Sequence, residues 1–493
     1  MNFNTILEAF WTSVTLANIG MLFLGTFLGI VVGALPGLGP TIGVALLIPI
    51  SYGMETSTAL ILMAGIYTGA VYGGSITAIL LGIPGTPNSA ATVLDGFEMA
   101  KQGKSMDALG ASTVASGFGG LTAALCMMFF TPLVSRIVLY FGVAEQFMLA
   151  IFGLSVIAIA SKENFLKGLL GGFFGLAIAT IGYDPITGLD RFTFGTTLLA
   201  DGIDFMVVVM GLFGIAQTFS LAEEARSISA TPKLSGSVRN GAVSVLRHWK
   251  VTIRATGIGL FFGAVPGVGG GAANMIAYTS AAAASEDRES FGCGNIRGVI
   301  APEAANNATV GSALIPTLAF GIPGSAVCAI VMGLLTMHGI DVGPKLFTKL
   351  PPELYVFFWG MLLTNFALVI IALPLMRYFA KVTLVPYQIL VPNIIILCGL
   401  GTYSLRGSFF DVFMTIAFGI LGYFLKKANF PTVTIVLGLV LGSLAEANLS
   451  RSLLIYKGWR FLYTRPIVLA LVIITCLIIV LPYIDFKKWK KEK

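Results

Sequence analysis

Apolar residues dominate the chain in long unbroken runs rather than in alternating or amphipathic stripes. Runs of spanning length occupy 12–35, 58–82, 107–130, 146–160, 165–183, 202–220, 251–284, 299–320, 354–376, 383–400, 409–425, 431–447 and 465–483. A helix rises about 1.5 Å per residue, so roughly 20 apolar residues cross the hydrocarbon of a bilayer. Two shorter apolar pieces, 40–50 and 323–337, are too short to cross and suit half-helices or re-entrant hairpins. The pattern predicts an all-α polytopic membrane protein with roughly 12 transmembrane helices.

Composition agrees. Of 493 residues, 56% are hydrophobic and 11% charged, and 59 are glycine. Water-exposed surfaces need far more charge, whereas lipid-covered ones do not, and membrane helices use Gly for close packing. The net charge of +7 sits in short loops and the C-terminal tail, as the positive-inside rule places it, so nucleic-acid binding is not expected. The five cysteines form no CxxC pair and read as small buried hydrophobes. The start, MNFNTILEAF, lacks a basic segment before its apolar run, so that run is expected to be retained.

Charge also orients the chain. Lys101 and Lys104, then Lys162 and Lys167, then the basic stretch 221–254 with Arg239, Arg247, Lys250 and Arg254, predict cytoplasmic loops. Arg377 and Lys381, Lys426 and Lys427, and the C-terminal lysines continue the alternation and put the C-terminus in the cytoplasm. Asp184, Asp190 and Asp201 suit the outside. The stretch 448–464 should also be outside, yet it holds Arg451, Lys457 and Arg460. It is either an interfacial amphipathic helix or a slip in the count.

The sequence repeats itself. GALPGLG at 33–39 returns as GAVPGVG at 263–269, and GIPGT at 82–86 returns as GIPGS at 321–325. Two motifs in one order at offsets of 230 (263 − 33) and 239 (321 − 82) residues indicate duplication. The expected divisions are a first transmembrane repeat (1–220), a basic linker (221–250), a second repeat (251–447) and a terminal segment (448–493). Loop charges after the two GIPG motifs fall on opposite sides, so the repeats are expected to be inverted, an architecture of secondary transporters.

The Pro-Gly motifs carry the chemistry. Pro36 and Pro266 lack an N–H and should break their helices, freeing backbone groups that cost several kcal/mol each in lipid unless something binds them. Half-helix N-termini attract carboxylates, and exposed carbonyls suit sodium. The competing reading is a packing kink, which two symmetric pairs of motifs disfavour. The candidate substrate residues are Pro36, Gly37, Gly39, Pro40, Thr41, Gly85, Thr86, Asn88, Ser89, Pro266, Gly267, Gly269, Asn274, Gly324 and Ser325. The candidate cation residues are Ser75, Asn306, Asn307 and Thr309. Neutral oxygen donors rather than Lys and Arg line the motifs. Any single Ser or Thr reads equally well as a helix back-bond. Glu303 and Asp95 are the nearest carboxylates, and either a cation or proton role or a cap or loop anchor fits them.

No enzyme is expected. Gly103-Lys104-Ser105 ends like a phosphate-binding loop, but Glu98 stands where that pattern needs Gly. GVGGGA at 267–272 lies inside an apolar run, and His248 and His338 form no metal motif. No cofactor is expected beyond a coupling ion.

Longer stretches resemble the large membrane subunit of tripartite tricarboxylate transporters, the TctA family. The resemblance rests on GALPGLGPTIGVALLIP at 33–49, YGGSITAILLGIPGTPNSAATVLDG at 72–96, AKQGKSMDALG at 100–110 and APEAANNATVGSALIPTLAFGIPGS at 301–325. It implies a bacterial inner-membrane protein that works with a small membrane subunit of about four helices and a periplasmic solute-binding protein. It further implies import of an organic carboxylate (citrate or another tricarboxylate, a dicarboxylate or an aromatic acid) driven by a cation gradient, usually Na+. The expected mechanism is symport by alternating access, with a channel or exporter working without a binding protein as the alternative.

Overall fold

The computed structural model describes residues 3–480 apart from 36, 52, 139, 161–164, 185–187, 224–233, 267–268, 348–349, 384 and 386. The C-terminal lysines therefore lie outside the described residues, as do Pro36 and Gly267. The first half holds α1 (Phe3–Ser13), α2 (Leu16–Gly33), α3 (Gly39–Ser51), α4 (Thr56–Leu81), α5 (Ala90–Lys101), α6 (Ser105–Val138), α7 (Val143–Ala160) and α8 (Phe165–Ala179). After a two-residue antiparallel ribbon, Gly182–Tyr183 against Asp190–Arg191, come α9 (Phe205–Val209), a π-helical segment (Met210–Ile215) and α10 (Ala216–Glu223). The second half holds α11 (Val238–Arg247), α12 (Trp249–Gly263), α13 (Gly269–Ala283), α14 (Arg297–Phe320), α15 (Ala326–Met337) and α16 (Pro352–Val382). It closes with α17 (Tyr387–Arg406), α18 (Phe409–Lys427), α19 (Thr432–Ile455), α20 (Phe461–Thr464) and α21 (Pro466–Val480).

The chain is an all-α polytopic membrane protein. Among the described residues eight helices are long and apolar enough to cross a bilayer, and four shorter apolar helices accompany them. The run 251–284 differs from its reading as one crossing. It is two fifteen-residue helices, α12 and α13, on either side of the Pro266 turn. A helix of that length spans about 22 Å, less than the hydrocarbon thickness. The apolar run that ends at 447 continues as helix to Ile455, so Arg451 lies on α19 itself.

The two halves share local geometry. α4 ends at Gly82 (φ 68°) and α14 at Gly321 (φ 71°), both left-handed, the conformation in which Gly closes a helix without Cβ strain. The next helical segment then starts at a hydroxyl cap. Thr86 accepts from the Ser89 N–H ahead of α5, and Ser325 accepts from the Cys328 N–H ahead of α15. Packing repeats as well. Gly25, Gly29 and Gly33 let α2 lie against the backbone of Leu62, Ile66 and Ala70 on α4, while Gly259 and Gly263 seat α12 against Ala305 and Thr309 on α14. Sequence position rises together on both helices of each pair, so α2 runs parallel to α4 and α12 parallel to α14. Most residues of α4 and α14 are buried, so these two helices form the centre of the molecule.

Candidate functional site

The broken helices meet at one cavity of about 580 Å³. Gly37, Gly39, Pro40 and Thr41 bring the start of α3 to it, and Gly269 and Gly270 the start of α13. Gly85, Thr86 and Asn88 bring the turn that leads into α5, and Gly324 and Ser325 the start of α15. Helical N-termini from both halves therefore face one space. Each concentrates N–H donors and a partial positive charge near its end, the electrostatics that hold a carboxylate or phosphate. The wall between them is mostly apolar, with Tyr67 and Val71 of α4, Thr309, Val310 and Ala313 of α14, and Leu437 of α19.

Of the residues singled out from sequence, eleven line this cavity: Gly37, Gly39, Pro40, Thr41, Gly85, Thr86, Asn88, Gly269, Gly324, Ser325 and Thr309. Ser89 sits behind the wall, where it and Thr86 cap each other's backbone N–H groups. Asn274 is buried beside it and donates to the Asn88 carbonyl at 2.7 Å. Pro266 makes the turn between α12 and α13 but is not among the lining residues. Thr309 donates to the Asn306 carbonyl at 2.7 Å, a helix back-bond of the ordinary kind.

The cation candidates spread along the α4–α14 crossing instead of forming one shell. Asn306 donates to the Val71 carbonyl at 3.4 Å and so ties α14 to α4. Its Oδ1 and both polar atoms of Asn307 are buried without a hydrogen-bond partner, as is the Thr68 hydroxyl. Thr68 and Asn307 stand at the same 239-residue offset as the GIPG motifs (307 − 68). Buried amides without partners are costly. Amide and hydroxyl oxygens are hard donors, the chemistry that suits Na+. Ser75, one turn beyond Val71 on α4, also has a buried hydroxyl without a hydrogen-bond partner.

Both carboxylates left open from sequence acquire definite places. Asp95 anchors a loop: its Oδ1 accepts the N–H groups of Gly292, Gly294 and Asn295 at 2.7–2.9 Å, and Oδ2 accepts the Tyr278 hydroxyl. Glu303 neither caps a helix nor sits in a loop, because α14 begins six residues earlier, and it is fully buried. Thr92 of α5 donates to its Oε1 at 2.5 Å, and Ser112 and Ser116 of α6 donate to its Oε2 at 3.1 and 2.9 Å. Ser112 and Ser116 reach it together because residues four apart share a helix face. Glu303→Leu removes the acceptor and strands three hydroxyls in a buried site. A buried donor left without an acceptor costs about 1–3 kcal/mol, so with three stranded hydroxyls a loss above ~3 kcal/mol is expected. Thermal unfolding in detergent checks this, with Glu303→Gln falling between the two. An unchanged midpoint for Glu303→Leu would exclude the hydroxyl cage as a fold determinant.

Five polar residues of the cavity escape the sequence reading: Tyr67, Gln217, Lys426, Thr432 and Thr434. Gln217 carries a signal, being an amide inside an otherwise apolar run. Charge alone places Lys426 in a loop, but it lines the cavity and donates to the Gln217 side chain at 2.7 Å. Gln217 follows the π-helical segment, whose Leu212 and Phe213 also reach the cavity, and π-bulges recur at functional sites.

A protein of Agrobacterium vitis, described as an uncharacterized 52.8 kDa protein in the TAR-I ttuC' 3' region, is 36% identical over 489 residues, covering 98% of this chain and 97% of that protein. A second A. vitis protein, from the TAR-II ttuC' 3' region, is 36% identical over 238 residues, 47% of this chain and 97% of its own length. No solved structure matches. The tripartite tricarboxylate transporter TctA family model matches residues 19–437, including all four Pro-Gly motifs, and the chain belongs to that family.

Proposed function

We propose that this chain is the translocating subunit for an organic carboxylate in a bacterial inner membrane, coupled to Na+ entry. The observation that carries the reading is the convergence of helical N-termini from both halves on the 580 Å³ cavity. A tri- or dicarboxylate presents separated negative charges, and N-termini on several sides of one space match that distribution. The apolar walls suit the carbon skeleton of the substrate, and Lys426 adds a positive charge at the rim. A periplasmic solute-binding protein delivers the substrate, and a small membrane subunit completes the complex, as membership of a tripartite family implies.

Coupling follows from the polar atoms beside the cavity. Asn306 and Asn307 offer amide oxygens about one turn from Val310, which faces the substrate space. Na+ held there offsets the charge of the carboxylate, so ion and substrate bind together more readily than apart. The two halves are inverted about the α4–α14 crossing. In support, the segment after the first GIPG meets Ser235 and Cys293, whereas the one after the second meets Ser51 and Thr56. Transport proceeds by alternating access, a bundle drawn from both repeats carrying the cavity past the rest of the protein.

The test is uptake of labelled citrate and other carboxylates into proteoliposomes containing all three subunits, with an inward Na+ gradient imposed or absent. Asn307→Ala is expected to raise the Na+ concentration for half-maximal uptake by about tenfold, an effect of ~1.4 kcal/mol, within the range for a buried polar contact. Unchanged Na+ dependence in Asn307→Ala would remove that residue from the ion site. Uptake indifferent to Na+ in the unaltered protein would remove Na+ coupling altogether.

A further inference from the structure

A second cavity, of about 390 Å³, lies at the far ends of α12 and α13 from the Pro266 turn and carries four basic side chains. Arg247 at the end of α11 lines it together with Lys250 and Arg254, which are four residues apart on one face of α12. Arg297, at the start of α14, closes the opposite side. Arg297 is paired with Asp287, and that contact holds the Asp287 carboxyl below the usual carboxylate range. Among the described residues no carboxylate lies within ion-pair distance of Arg247, Lys250 or Arg254. Three of the four positive charges at the pocket are thus without a paired carboxylate among the described residues.

Its apolar neighbours distinguish it from a plain solvated basic loop. Leu246 is 72% exposed, Trp249 55% and Ile253 52%, and they stand beside the basic residues on the same two helices. Exposed Trp is characteristic of the membrane–water boundary, where its ring packs among acyl chains near the headgroups. Lys and Arg next to it have aliphatic stems that follow the lipid while the charged ends reach the phosphates. α11 is an amphipathic helix with Arg239 and Arg247 on it, the build of a segment lying in the interface.

We infer that this pocket binds the phosphate headgroup of an anionic phospholipid, with the acyl chains lying along Leu246, Trp249 and Ile253. Charge complementarity calls for a phosphate ester, and the exposed apolar side chains call for one that carries acyl chains rather than free phosphate. The bound lipid braces the ends of α12 and α13, whose other ends form one wall of the substrate cavity. It acts there without touching substrate. The site is independent of which carboxylate or ion is carried.

Trp249 reports on its own surroundings, so lipid quenching tests the inference directly. The full-length protein is placed in nanodiscs of phosphatidylcholine doped with brominated phosphatidylglycerol or brominated phosphatidylcholine. The Trp249 contribution is the signal lost in Trp249→Phe. Brominated phosphatidylglycerol is expected to quench it at a mole fraction at least about fivefold lower than brominated phosphatidylcholine does, the preference that a Lys or Arg near a headgroup confers. Replacing Arg247, Lys250 and Arg254 together by Gln should bring the two lipids to parity. Lys250→Gln alone should lower the preference and serves if the triple variant does not fold. Equal quenching by both lipids in the unaltered protein overturns the inference, as does a preference that survives the substitutions. Loss of the preference on adding millimolar inorganic phosphate also overturns it, because the pocket would then be a site for the free anion.

Discussion

Ser325→Asp is expected to abolish carboxylate uptake while leaving the protein folded. Ser325 stands in extended conformation (φ −153°, ψ 170°) as the N-cap of α15, and its hydroxyl accepts the Cys328 N–H at 3.2 Å. Asp is as good an N-cap as Ser, and its negative charge is favourable at a helix start. The folded state should therefore keep its unfolding temperature or gain slightly. The same charge now occupies the wall of the cavity that is proposed to receive a substrate carboxylate. Two like charges about 4 Å apart repel by ~4 kcal/mol at the effective dielectric of a protein surface. Affinity should fall by about 100-fold or more. Ser325→Ala is the control for the cap alone. It should cost about 1 kcal/mol of stability and leave uptake within a few-fold of the unaltered protein. Uptake kinetics in proteoliposomes, with unfolding followed in detergent, separate the two effects. Undiminished uptake by Ser325→Asp would mean that the start of α15 does not face the substrate.

The position of such a residue is legible before any fold, because proline and glycine act locally. Pro266 beside its glycines interrupts the helix, whereas α14 runs on through Pro302 and Pro316, which have no adjacent glycine, and Gly82 and Gly321 close helices in a conformation that needs no neighbour. That is why four short motifs locate the helix starts that face the cavity, while most of its wall comes from other segments. The course of the chain through those breaks is less legible. The run 251–284 is apolar from end to end, and hydropathy does not record whether a helix crosses or turns back at its proline. The glycines of α12 fit only α14, and this long-range packing settles the direction.

The same division explains the polar residues. Asn306 and Asn307 stand out because buried amides are rare in apolar runs, and they prove to lie at the crossing of α4 and α14. The hydroxyls around Glu303 do not stand out. Thr92, Ser112 and Ser116 each look like ordinary helix residues, and only the packing of α5 and α6 on α14 gives them a common acceptor. Lys426 shows the limit of charge as a guide. A lysine at the end of a membrane helix reads as a cytoplasmic marker, yet its long side chain reaches back into the cavity.

The helix contacts that shape the cavity yield a second large effect, on stability and uptake together. Gly33 is the last residue of α2, directly before the first Pro-Gly break. A Cβ at this position would overlap the Ala70 carbonyl oxygen and lie 2.8 Å from the Ala70 Cα, both backbone atoms of the central helix α4. Backbone cannot rotate away as a side chain can, so even Ala must push α2 off α4. Overpacking of this kind costs typically about 1–3 kcal/mol, and Val, with two more methyl groups, should exceed that. The displacement falls where α2 turns towards Leu38, Gly39 and Pro40, so uptake should drop more than about tenfold even in protein that still folds. Gly263 is the counterpart in the second half. There the nearest atom is the Ser312 hydroxyl, which can rotate, but the Thr309 Cα at 2.8 Å cannot. Gly263→Ala should therefore be damaging but milder. Gly20, on the same helix as Gly33, has nothing within 4 Å of the place a Cβ would take, so Gly20→Ala should be neutral or stabilising by up to about 1 kcal/mol through helix propensity. Unfolding midpoints and uptake rates for the three alanine variants check the ordering Gly33, then Gly263, then Gly20. If Gly33→Ala matched Gly20→Ala in both measurements, the close contact of α2 with α4 would not hold the cavity in shape.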